Sequence, residues 1–337
     1  MASPTVPTAN QSESDVLDVR ADVWQKRPLL RDIYNRYFAE MCEHLATPIA
    51  LRGNARLNAP HAVPTCDPQG EMSLSGARSL AIPRKAKSFG TILELGGGSG
   101  NFKEYFHSHH AGQGTLIASD VVATPHCDLV VDAMTLPFAD NSLDNIVMMD
   151  VLHHIPFPLK FFAEAQRALR PGGRIIMTEP YISPASRLVF KLAHPEPVEL
   201  SVAVFAEPLA PGSAGGSNGV DAGTEAPNPR QSRGLTDPSP LRSKVRGGGA
   251  FASNQATPTL IFYRDLAKFQ QRFSEFKLIA RKRRSLLLYP LSGGFSGPKL
   301  LPHSVGKFLW PLETLLAPLS PLLAFRLLVV LEKHSTI

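Results

Sequence analysis

ILELGGGSGNF, residues 92–102, is an apolar run that delivers an acidic residue into a glycine-dense turn. The spacing predicts a buried strand over 91–95 with Glu94 near its carboxyl end, and a helix that starts near Asn101. Gly96, Gly98 and Gly100 allow backbone conformations that other residues resist, and without a Cβ they let a bulky ligand approach the main chain. This turn suits a nucleotide-like ligand. The dinucleotide fingerprint G-x-G-x-x-G would require glycine at position 101, where Asn101 stands, so the pattern is G-x-G-x-G. A nicotinamide-type site is therefore not expected.

Downstream, residues 115–119 (TLIAS) read as a second strand ending at Asp120. An acidic side chain at the end of the strand after the glycine turn suits two ribose hydroxyls, because a carboxylate accepts from both. The plainer role for Asp120 is a strand cap. Short strands follow at 128–131 and 146–149, then a helix over 157–169, a Pro171-Gly172-Gly173 turn and a strand over 174–178. Alternating strands and helices with short joints require right-handed crossovers and a doubly wound α/β sheet. His107, His109 and His110 lie between helix and strand with no converging ligand geometry, so they read as a surface cluster and no metal site is expected.

From Asp132 the chain reads DAMTLPFADNSLDNIVMMDVLHHIPFPLKFFAEAQRALRPGGRIIMTEP. With the G-x-G-x-G turn, this resembles the class I S-adenosylmethionine-dependent methyltransferases, in the large group with D-x-x-x-L-P-F-x-D-x-S, then L-H-H, then E-x-x-R-x-L-R-P-G-G. The resemblance covers residues 92–180. It implies a seven-stranded Rossmann-like sheet with a helical and loop-rich cap. S-adenosyl-L-methionine would be held by Glu94, Gly96, Gly98, Gly100 and Asp120. Asp132 and Ala133 would lie beside the adenine, and Asp150 would face the methionine end or the reaction space. His153 and His154, just after the fourth strand, are the titratable candidates for removing a proton from the methyl acceptor. Glu179 is expected either to bind substrate or to cap the following turn.

The Asn-Pro-Pro-aromatic sequence of the amino-methylating nucleic-acid enzymes is absent; Asp150-Val151-Leu152-His153 stands there. The expected acceptor is a small molecule, first a hydroxyl of a sugar or glycan-lipid precursor. A quinone-like lipid methylated at carbon, or a cofactor-binding scaffold without catalysis, are the alternatives.

The chain has 337 residues, with 43% hydrophobic and 19% charged, and a net charge of +6. No Arg/Lys stripe with interleaved aromatics accompanies that charge, so no nucleic-acid partner is expected. Three unpaired cysteines and no basic-then-apolar leader point to a reducing, cytoplasmic setting. Residues 1–20 read as disordered, and 21–88 as amphipathic helices followed by a loop insertion. Trp24, Tyr34 and Tyr37 are candidate lid residues there. Residues 89–205 form the cofactor-binding core, 206–250 a flexible Gly/Pro/Ser-rich insertion, and 251–337 a helix with the last two strands. Within that last region Arg281-Lys282-Arg283-Arg284, followed by the Pro-broken apolar stretch 308–323, reads either as a solvated strand end with the leucines packed beneath the sheet or as a surface for peripheral contact with an anionic membrane, which would fit a lipid-linked acceptor.

Overall fold

The computed structural model describes residues 13–47, 65–66, 72–73, 88–193, 196–205, 253–295 and 297–334. The expected flexible insertion at 206–250 lies outside the described residues. Two short strands, β1 (Thr65–Cys66) and β2 (Met72–Ser73), pair antiparallel. The main sheet holds β3 (Thr91–Leu95), β4 (Thr115–Asp120), β5 (Leu129–Val130), β6 (Leu143–Met149), β7 (Leu169–Pro180), β8 (Phe276–Arg284) and β9 (Arg326–Lys333) in the order β5-β4-β3-β6-β7-β9-β8. The first five run parallel, and β9 is antiparallel to both of its neighbours. The doubly wound, seven-stranded α/β sheet expected from the sequence is thus present.

The strands are near-continuous apolar runs because parallel strands covered on both faces bury alternate side chains on each. β6 and β9 are buried along almost their whole length. The chain starts in the middle of the sheet at β3, moves outward to β4 and β5, then crosses back to β6. Ligands bind at such a reversal, outside the strands' carboxyl ends. The glycine turn after β3 and Asp150 after β6 are therefore neighbours.

Helices α1 (Glu13–Lys26) and α2 (Pro28–Glu43) precede the sheet, so helix begins at Glu13, inside the stretch read as disordered. On α2, Leu30, Ile33, Tyr34, Tyr37, Phe38 and Met41 recur at helical spacing and are buried against Phe102 and Phe106 of α3 (Asn101–His110) and sheet residues including Ile92, Val147 and Ile176. Each fully buried side chain of this kind contributes roughly 1.5–3 kcal/mol, against helix-propensity differences below about 1 kcal/mol per residue. Packing, not propensity, fixes α2. Buried Asn145 of β6 then pins the segment after α2: its amide donates to the carbonyls of Ala46 and Phe89 and accepts the Ala46 N–H.

α4 (Pro158–Ala168) contributes Phe161 and Phe162 to an aromatic cluster with Phe262 and Phe269. α5 (Pro184–Ala193) follows β7. The helix expected early in 251–337 is broken in two: α6 (Thr257–Thr259) runs into a π-helical turn, Leu260–Arg264, before α7 (Leu266–Arg272). Between β8 and β9 the described residues form four short α-helices, α8 (Leu288–Ser292), α9 (His303–Gly306), α10 (Trp310–Leu315) and α11 (Ser320–Leu323), with 3-10 turns at Lys307–Leu309 and Ala317–Leu319. Among the described residues no helix is long and apolar enough to cross a membrane.

Candidate functional site

The turn after β3 is built from left-handed glycines: Gly96 has φ +74°, Gly98 +44° and Gly100 +75°. Gly96 also faces a tight neighbour, because a Cβ there would come within 2.2 Å of Val151 Cγ2. Gly97 N–H donates to the Ser119 carbonyl at 2.8 Å, which ties the turn to the end of β4. Asp120 completes the tie. One carboxylate oxygen accepts the Gly98 N–H at 2.9 Å and the other the Val122 N–H at 3.3 Å. Each oxygen retains a further lone pair, so the strand-cap role and a ribose-binding role are compatible.

Glu94 is buried on β3, and its Oε2 has no hydrogen-bond partner in the protein. Burial pushes its carboxyl up to about 8, with Lys103 opposing and Asp120 and Asp128 adding to the rise. Such a group is costly unless something cationic or donating meets it. Asp132 lies after β5, exposed, its Oδ1 accepting the Met134 N–H at 2.8 Å; Ala133 follows half-exposed. Glycine turn, Glu94, Asp120 and Asp132 all gather at the carboxyl ends of β3, β4 and β5. His107, His109 and His110 sit instead on the far turn of α3, where the His109 ring stacks on Tyr105 at 4.1 Å.

Asp150 has partners within the protein that its sequence position does not reveal. It sits at φ +60°, and its carboxylate is taken up by Arg326 at the start of β9: Nη1 lies 2.5 Å from Oδ1, and Nη2 donates to Oδ2 at 2.6 Å. Tyr34 of α2 donates to the same Oδ2 at 2.9 Å. The guanidinium lies 5.1–5.9 Å from the ring centres of Tyr34, Tyr37 and Tyr289. Asp150 is thus the joint between the cap helix, β6 and β9. Trp24, Tyr34 and Tyr37, the candidate lid residues, are buried in the core beside that joint. Arg326 escaped the sequence reading although a lone basic residue opening the run FRLLVVLE signals a buried charge in need of a partner.

The two histidines sit in a network of carboxylates that the sequence does not show. Glu179 is fully buried at the end of β7; its Oε1 accepts the N–H groups of Val151 and Leu152, both at 2.8 Å, and its Oε2 pairs with His153 Nδ1 at 2.8 Å. Glu179 therefore caps the turn after β6, and not the turn that follows it in sequence. Glu196 approaches from the other side, 3.5 Å from His153 Nε2 and 3.9 Å from His154 Nε2. Burial opposes a charge on His153, but the hydrogen bonds to Glu179 and Glu196 outweigh it and push the imidazole up to about 9. This surrounding favours the imidazolium form, which is poorly suited to taking a proton. Burial and the adjacent His153 charge push His154 down to about 3, so it stays neutral but is a feeble base. His153, His154 and Glu196 also bring three ligating atoms within 4.8 Å of one another, the arrangement among the described residues nearest to a metal-binding set.

The His153 contribution to stability has a defined sign. Because its folded pKa lies above the unfolded value near 6.5, the contribution is complete below about pH 6.5 and is lost as pH rises through about 9. Chemical denaturation across this range should show a decline of at most about 3 kcal/mol assignable to His153. His153→Gln should flatten the profile between those limits, and a variant profile parallel to that of the parent would show that His153 is not charged in the fold.

A family model described as a methyltransferase domain matches residues 93–177. An uncharacterised methyltransferase of Mycobacterium avium is 34% identical over 97 residues, covering 26% of this chain and 38% of the relative. A 37.1 kDa protein of a Streptomyces fradiae transposon is 49% identical over 49 residues, 14% of each chain. A crystal structure of an S-adenosylmethionine-dependent methyltransferase from Aquifex aeolicus aligns with TM-score 0.25 at 24% identity, over 26% of this chain and 55% of that one. The matches span well under half the length of these curated relatives.

Proposed function

From the match to a methyltransferase-domain model over residues 93–177, we propose that this chain transfers a methyl group from S-adenosyl-L-methionine to a small-molecule acceptor. The observation that carries the cofactor reading is the buried, unpartnered oxygen of Glu94 beside a turn of left-handed glycines. A cationic ligand group would relieve that oxygen, and the bare glycine backbone leaves room for the rest of the molecule. Asp120 would accept from the ribose hydroxyls, and Asp132 and Ala133 would border the adenine. Bound S-adenosylmethionine supplies an activated methyl group on a sulfonium with a neutral leaving group. The protein's own share is positioning and exclusion of water.

The acceptor we favour is a hydroxyl of a sugar or a lipid-linked sugar. Its proton would pass to the half-buried Glu196 carboxylate beside neutral His154, since His153 is already protonated. His153 and Glu179 position that pair and the turn after β6; they do not take the proton themselves. Calorimetry should show S-adenosylmethionine binding that Asp120→Ala weakens by about 1–3 kcal/mol. Unchanged affinity would move the ribose site elsewhere. Glu196→Gln should leave cofactor affinity intact and slow turnover, whereas equal turnover would remove Glu196 from the proton path. A protein that binds the cofactor but never turns it over would be a scaffold.

A further inference from the structure

An apolar surface lies outside the proposed site. α5 exposes Leu188 and Leu192, at 60% and 77%, and the chain between β8 and β9 exposes Phe308 and Leu315, at 82% and 75%, with Leu319 and Leu322 beside them. α11 packs next to α5, so the two contributions adjoin. Soluble surfaces carry scattered apolar side chains, but a run of this size along consecutive short helices marks an interaction face.

The exposed charges of these two segments are of one sign, with Asp32 of α2, which meets His303, the acidic group at their edge. On α5 the exposed ionisable groups are Arg187 and Lys191, and over 298–323 they are Lys299 and Lys307. Glu313, the acidic residue in that stretch, is turned inward and accepts the N–H groups of Leu286, Leu287 and Leu288. The basic run Arg281–Arg284 is by contrast engaged within the fold. Lys282 and Arg284 pair with Glu40, and Arg281 and Arg283 lie 4.2 and 4.5 Å over the Tyr263 ring. The face that remains for a partner is Leu- and Phe-rich with basic residues among the apolar ones.

We propose that α5 and the 298–323 segment form a docking face for an anionic lipid surface, into whose headgroup region the exposed Leu and Phe side chains insert. The charge pattern selects this occupant. Folding the face onto a second copy would set Arg187, Lys191, Lys299 and Lys307 against their own kind, whereas an anionic surface complements all four. Pro302, Pro311, Pro318 and Pro321 keep the segment in short pieces, which suits lying in an interface and not crossing it. The inference goes beyond methyl transfer and stands whether or not that reading holds.

Vesicle flotation with the full chain tests it. The protein should float with vesicles of phosphatidylcholine and phosphatidylglycerol, less with phosphatidylcholine alone, and less as salt rises. Phe308→Ser with Leu315→Ser should lower the partition coefficient roughly tenfold or more, with an unchanged unfolding curve showing that the fold persists. Arg187→Glu with Lys307→Glu should abolish the preference for anionic vesicles. No flotation, equal flotation onto both vesicles, or retained binding in the Phe308/Leu315 variant would overturn the proposal. So would a dimer in sedimentation that the same variant turns into a monomer, because a second copy would then cover the face.

Discussion

Arg326→Met should destabilise the protein by about 3–5 kcal/mol in urea unfolding, the usual cost of leaving one partner of a buried ion pair alone. Burial by itself would push the Asp150 carboxyl up, but the charge and hydrogen bonds of Arg326 more than offset it and hold Asp150 below the ordinary carboxylate range. Without the guanidinium, Tyr34 is left as the side-chain donor to that carboxylate. Asp150→Asn in the same chain should recover most of the loss, since it removes the stranded charge while retaining a residue type that tolerates φ +60°. Asp150→Ala should recover less. An Arg326→Met variant within about 1 kcal/mol of the parent would mean that water reaches the pair and that the joint is not a dry one.

Gly96→Ala should cost about 2–4 kcal/mol, combining left-handed backbone strain with overpacking. It should also weaken cofactor binding at least about tenfold, because the turn can relieve the clash only by moving. The clash is with one atom: the added Cβ lies 2.2 Å from Val151 Cγ2, and the next nearest atoms are 3.5 and 3.6 Å away. Val151→Ala removes that atom and leaves an ordinary contact. The double variant should therefore be more stable than the two single effects summed, by about 1–3 kcal/mol, with part of the cofactor affinity restored. Strict additivity would show that strain at φ +74° is the whole cost and that Val151 does not limit the turn.

The sequence made the parallel half of the sheet legible because each strand there is a short apolar run closed by a recognisable turn, and Thr91–Leu95 and Thr115–Asp120 fall where the pattern put them. The Glu94, Gly96 and Asp120 cluster was legible for a related reason: its members lie within 27 residues of one another and at the ends of those same strands. What escaped depends on contacts distant in sequence. Asp150 meets Arg326 across 176 positions, and His153 lies between Glu179 and Glu196. A carboxylate at a strand end looks ready for a ligand until the strand that neutralises it is known. The histidines illustrate the same limit, since carboxylates from two distant segments raise His153 while burial and the His153 charge lower its neighbour. The break at Leu260–Arg264 left no mark in the apolar spacing, because a π turn inserts its extra residue without a proline or glycine.

β9 is made after β8, yet it lies between β7 and β8. On the ribosome, β8 emerges with no partner in the sheet and β7 presents an open edge until β9 arrives and pairs with both. Each waiting edge is a template for another chain, and closing it depends on contacts of long sequence separation, which form slowly. The same insertion carries Arg326 to Asp150, so the strand that seals the sheet also neutralises the turn after β6. A nascent chain paused before residue 326 would hold every glycine and carboxylate of the proposed cofactor site and still be an aggregation-prone intermediate. Translation speed through the final strand, and chaperone occupancy just before it, would then govern the yield of folded protein more strongly than the stability of the finished sheet.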